Sequence, residues 1–142
     1  MTPEIAQAQD AVVKALMEVP DVPWERIVVN WEIKDDGGEK HMGTIAFCIS
    51  RNPEGGLTKT DMKNLPSIVP KRLLALRELM ARLQGDRWAG CDLAIDSDGR
   101  YEFNFSYDPP KRLNGIIDDE SYWRFGRYLD DYRAGRKTLS TD

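Results

Sequence analysis

Residues 88–108 read WAGCDLAIDSDGRYEFNFSYD, two alternating runs separated by Asp96-Ser97-Asp98-Gly99. Apolar and polar side chains that alternate one for one match the two-residue repeat of a strand with a single buried face. Glycine in a short loop supplies the positive φ that such a reversal needs. The stretch therefore reads as a β-hairpin. Cys91, Leu93 and Ile95 point to the core, with Asp92, Ala94 and Asp96 outward. After the turn, Tyr101, Phe103, Phe105 and Tyr107 point inward, with Glu102, Asn104, Ser106 and Asp108 outward. A one-residue slip would expose four aromatics, so the register is firmly specified. Pro109 and Pro110 end the second run.

Upstream, residues 67–84 carry Val69, Leu73, Leu76, Met80 and Leu83 at helical spacing, with Leu74 and Leu79 widening the stripe. Ser67 is the expected cap, Pro70 falls in the first turn, and Gly85 stops the helix. Residues 52–66 hold Pro53, Gly55, Gly56 and Pro66 and read as a surface loop. Before them lies a second hairpin. Ile27, Val29, Trp31 and Ile33 alternate along residues 24–34, which read as a half-buried strand. Asp35-Asp36-Gly37-Gly38 turns the chain, and residues 41–51 return with Ile45, Phe47 and Ile49 on one face.

At the N-terminus Thr2 caps a helix with Pro3 at its first position; Ile5, Ala8, Val12, Ala15, Leu16 and Val19 line it, and Pro20 and Pro23 end it. A last helix is expected over residues 119–134, capped by Asp118 or Asp119, with Tyr122, Phe125, Leu129 and Tyr132 on its buried face. Residues 136–142 read as a frayed tail. The order is α-ββ-α-ββ-α. It predicts one α+β domain over residues 1–142: an antiparallel sheet from two hairpins, packed with three helices.

A chain of 142 residues suits one domain with a core of its own. The net charge of −4 is mild and argues against direct nucleic-acid binding, which needs a basic face. No basic segment followed by an apolar stretch opens the chain, and no apolar run approaches the roughly 20 residues of a membrane span. A cytoplasmic location and no membrane partner are the expectation. Cys48 and Cys91 fall in separate strands with no C-x-x-C pairing and read as small buried thiols.

The search for chemistry turns up little. His41 is the only histidine, so two-histidine metal motifs do not arise, and a Ser-His or Cys-His mechanism would rest on one residue beside a turn. Asp96-Ser97-Asp98-Gly99 opens like a calcium loop, but Tyr107 stands where the twelfth position needs a glutamate. The pairs Asp35/Asp36 and Asp130/Asp131 and the run Asp118-Asp119-Glu120 fall in turns and caps, where water keeps them ionised, so a carboxylate-based hydrolase is the weakest reading. No cofactor, no metal and no catalytic residue are expected.

Charge placement says more. Residues 86–131 hold eleven acids against six bases, whereas residues 67–84 hold Lys71, Arg72, Arg77 and Arg82 against Glu78. An acidic sheet face steers and holds a basic partner.

At these residues the chain resembles the YezG-like immunity (antitoxin) family. The resemblance rests on element order and on five motifs. A short helix leads to Trp24-Glu25-Arg26-Ile27 at a strand entry, and a Leu-x-x-Leu-Arg type helix, Leu73 to Leu83, is followed by Trp88. The strand pair from Asp96 to Asp108 has the form D-x-D-G-x-aromatic-x-aromatic-x-aromatic-x-Tyr-Asp, and Trp123 and Tyr128 mark the terminal helix. Residues 52–66 and 109–115 depart from the pattern. The resemblance implies an antitoxin that binds the C-terminal domain of a cognate polymorphic toxin, such as a nuclease delivered in contact-dependent inhibition. It would neutralise that toxin by stoichiometric inhibition.

Physical reasoning adds the surface: Asp92, Glu102, Asn104 and Asp108 on the hairpin, with Asp118, Asp119 and Glu120 at the last helix. Such acids would mimic phosphates toward a basic nuclease cleft. A non-catalytic adaptor or secretion chaperone is the alternative.

Overall fold

The computed structural model describes residues 2–136. Of the tail expected at 136–142, all but Arg136 lies outside the described residues. Helix α1 spans Pro3–Met17, and the Thr2 hydroxyl accepts the Ile5 N–H, the expected cap. Strands β1 (Arg26–Asp36) and β2 (Glu39–Arg51) follow. Gly37 and Gly38, at φ 58° and 90°, form the two-residue turn between them. Two consecutive positive φ values match the twist of the flanking strands and are cheap only for glycine.

Strand β3 (Leu57–Asp61) lies inside the stretch expected to be a loop. Asn52 turns the chain by accepting the Gly56 N–H on its side chain at 2.7 Å. The β-branched Thr58 and Thr60 then pair with β2 along one edge. A five-residue strand bonded on one side buries too little for the two-residue pattern to show.

Helix α2 (Ile68–Gln84) buries Val69, Leu73, Leu76 and Met80, and Gly85 at φ 105° ends it. Two details differ from expectation. Ser67 already has helical angles and its side chain caps nothing. Leu83, expected on the buried stripe, is exposed.

Strands β4 (Gly90–Asp96) and β5 (Tyr101–Ser106) form the expected hairpin, and Ile95↔Tyr101, Leu93↔Phe103 and Cys91↔Phe105 face each other. Tyr107 lies beyond β5 and is exposed rather than inward.

The sheet order is β3-β2-β1-β4-β5, antiparallel throughout. The α+β architecture of helices and adjacent hairpins is therefore the one expected, with β3 added at an edge. Cys48 and Cys91 are both buried free thiols; β1 runs between their strands, so the two do not pair.

Helices α1 and α2 cover one face, over Ile27, Val29, Trp31, Ile33, Leu93 and Ile95. The other face is also covered. Val28, Phe47, Ile49 and Ala94 lie under Phe125, Tyr128 and Tyr132. Residues 26–33 of β1 are buried on both faces, not on one.

The covering segment is not the continuous helix expected over 119–134. It comprises a 3₁₀ turn (Arg112–Asn114), a π-helical turn (Asp119–Trp123), α3 (Arg124–Gly126) and α4 (Tyr128–Arg133). Gly126 lies at the break, where a residue of low helix propensity makes interruption cheap. A π turn adds a residue per turn and rotates the buried stripe. Hence Tyr122 is exposed, while Tyr128 joins Phe125 and Tyr132 inside.

Candidate partner-binding site

The second sheet face is polar where β1 and β4 run side by side. Asn30 lies opposite Asp92, and Glu32 opposite Gly90. Buried polar groups are costly unless paired, so this face needs donors from above. The C-terminal segment supplies two arginines. Arg124 reaches Asp92 at 3.0 and 3.1 Å, and the Asn30 amide donates to Asp92 at 2.6 Å. Arg112 donates to the Asn30 side-chain oxygen at 2.6 Å and to the Ser121 carbonyl at 2.8 Å, and sits 3.3 Å from Glu32. The Leu113 N–H also donates to Glu32, at 3.1 Å.

Desolvation marks these groups. Burial pushes the Asp92 carboxyl up, with Arg124 and Asn30 pulling it back. Burial also lowers the Arg112 guanidinium, with Glu32 opposing.

Asp92 is therefore not an outward acid. Its side chain is 14% exposed and already matched to a cation. The alternation of β4 is as read; a third layer lies where water was expected.

Asn104, opposite Asp92 on β5, is exposed, as is Glu102, to which its amide donates at 3.4 Å. Asp108, also exposed, follows β5. Asp118 caps the π-helical turn, accepting the Ser121 N–H at 2.9 Å while the Ser121 hydroxyl accepts the Asp118 N–H at 3.0 Å. Lys111 holds Asp118 and Glu120 together, each at 2.9 Å. That ammonium and the Ser121 bonds bring the Asp118 carboxyl down to about 2. Asp119 pairs with Arg127, which lowers its carboxyl as well.

Four of the seven expected positions, Asp92, Asn104, Asp108 and Glu120, line one cleft of about 120 Å³ together with Glu32 and Lys111. The cleft lies between the β4–β5 hairpin and the segment that follows it. Glu102, Asp118 and Asp119 are not among its lining residues.

No protein-family model and no curated protein matches this chain.

The excess of acids in residues 86–131 is thus mostly spent within the fold. Asp92, Asp96, Asp98, Asp118, Asp119, Glu120, Asp130 and Asp131 all face a basic side chain. Glu102 and Asp108 make no ion pair among the described residues. Asp108 lines the cleft, whereas Glu102 lies six residues earlier on β5, outside the lining; both have charge to spare.

Sequence reasoning missed Asn30, Glu32, Arg112 and Arg124. The one available signal was Asn30 and Glu32 themselves, two polar residues on an otherwise apolar strand. Such residues need partners, but nothing local says which. His41 is exposed near Glu39 and takes no part in the site. No described helix is long and apolar enough to cross a membrane.

Proposed function

We propose that this chain is a non-catalytic binding protein that neutralises a cognate toxin domain by stoichiometric inhibition, as the YezG-like resemblance implies. The observation that carries the reading is two uncompensated acids on one side of the molecule: Asp108, on the lining of a cleft whose other acids are already matched, and Glu102, farther along β5. A desolvated base with one spare acid on its lining and a second farther along β5 suits a basic partner surface. Preformed charge placement raises association rate and specificity more than it raises raw affinity. The same arrangement would stand in for nucleic-acid phosphates in a nuclease cleft. The partner is protein, and the cytoplasm is where it would be met.

The test is co-expression with the C-terminal domain encoded beside this gene. The expected result is rescued growth and co-purification at a fixed stoichiometry. Toxicity without rescue, with no complex recovered, would overturn the reading and leave the adaptor or chaperone role in its place.

A further inference from the structure

A second surface lies at the opposite edge of the sheet. Strand β3 pairs with β2 only over residues 47–51, and its last contact is the Met62 N–H donating to the Ala46 carbonyl at 2.8 Å. Strand β1 pairs with β2 along its whole length, to Glu39. Main-chain groups alternate sides along an antiparallel strand. Ala46 turns its carbonyl toward β3, so Thr44 and Met42 turn their N–H and C=O groups to the same side. Among the described residues no strand stands beside them there, and Thr44 is exposed.

A groove of about 910 Å³ surrounds this open edge. It is lined from both faces of the sheet, which requires that the next strand be missing. Met42 and Leu65 come from the helix side, where they border the main core. Ile45 comes from the other face, with Tyr122 and Trp123, which are 44% and 54% exposed. An unpaired edge is a template for another strand, and natural folds usually blunt it. Here it is flanked by apolar walls instead. Lys59 and Lys63 line the groove against Asp61; Lys59 already donates to the Phe125 carbonyl at 2.9 Å, and Lys63 is exposed and makes no ion pair among the described residues.

We propose that this edge takes an extended acidic-apolar peptide segment of a protein partner, added as a strand beside residues 40–45 of β2. Main-chain bonds to Met42 and Thr44 would hold it, as in other strand-addition complexes. Alternate side chains of the incoming strand would meet Met42 and Leu65 on one face and Ile45 and Trp123 on the other. Lys63 selects an acid on the segment, the reverse of what the cleft at the β4–β5 end asks of its partner. The two surfaces are independent, and this one stands whether or not a toxin domain binds the other.

Thr44→Pro is the discriminating variant. It deletes only an N–H that faces away from β1, a place where proline is tolerated, and Gly43 before it avoids the usual crowding. The probe is a consensus nonapeptide recovered from a random phage-displayed library selected on the full chain, resynthesised with a fluorescent label. The expected result is apolar residues at alternate positions with at least one acid, and binding weakened about tenfold or more by Thr44→Pro. The cleft variant Glu102→Lys/Asp108→Lys should bind the peptide as the parent does. Adding peptide to the parent chain should also protect the Thr44 amide from hydrogen exchange, a readout that needs no variant. Absence of any enriched peptide, or a consensus that binds Thr44→Pro equally and leaves the Thr44 amide exchanging, would overturn the proposal. So would a parent dimer in light scattering that Thr44→Pro converts to monomer, since the occupant would then be a second copy of this chain.

Discussion

The two faces of the sheet are covered by different means. On one, α1 and α2 lay periodic apolar stripes over Trp31, Leu93 and their neighbours. On the other, short turns fasten themselves through Arg112 and Arg124 to polar strand residues, around a smaller apolar patch at Phe125, Tyr128 and Tyr132. Apolar burial is non-directional and tolerates sliding, whereas a buried charge accepts few geometries. The first face therefore supplies most of the stability. The second fixes where a particular set of side chains stands, and the candidate cleft opens at its margin.

That contrast can be broken most severely in the helix layer. Trp31→Ala should cost about 4 kcal/mol, from lost transfer energy and the cavity left in a close-packed core. Urea denaturation measures it, and a cost below 1 kcal/mol would mean that this face is not the main core. Arg112→Ala should cost about 3 kcal/mol, because Glu32, with its side chain only 8% exposed, is left without its cation. Replacing both members with apolar residues of similar size, Arg112→Met with Glu32→Leu, should recover much of that loss. Hydrogen exchange in the single variant should rise in residues 111–133 and stay low in β1 and α2. Uniform loosening would contradict the separation of the two layers.

Acid should loosen the same layer selectively. The Asp118 carboxyl stands below its ordinary value in the folded chain, so it binds protons more readily when unfolded. Its contribution is complete above about pH 4 and is lost as pH falls toward about 2. Asp119, lowered by Arg127, acts in the same direction. Thermal melts of the parent should fall across that window, and Asp118→Asn should flatten the fall. An equal slope in the variant would show that the cap does not carry the effect. The smallest change in stability belongs to Glu102→Lys/Asp108→Lys, whose exposed side chains should shift unfolding by no more than about 0.5 kcal/mol.

The same contrast explains what could be read from the chain. Cys91, Leu93 and Ile95 announce their face because each neighbours a polar residue, and Val69, Leu73, Leu76 and Met80 do so at helical spacing. Both are local repeats, and both elements stand as expected. Strand β3 was hidden because its identity depends on β2 lying alongside. The broken C-terminal segment was hidden because Arg112 and Arg124 look like surface bases until Asn30 and Asp92, 82 and 32 positions away, are placed beneath them. Asp92 was misplaced for that reason alone. Glu102 and Asn104 stand exposed, as alternation along β5 requires; Asp108 lies beyond the strand, where Tyr107 is exposed too.

The most direct measurement is the affinity of this chain for the C-terminal domain encoded beside its gene, proposed as its toxin partner, by calorimetric titration of the parent and of Glu102→Lys/Asp108→Lys. Recognition at the cleft predicts at least about tenfold weaker binding at an unchanged melting temperature. Equal affinity for the two proteins would contradict it and move recognition away from this end of the sheet.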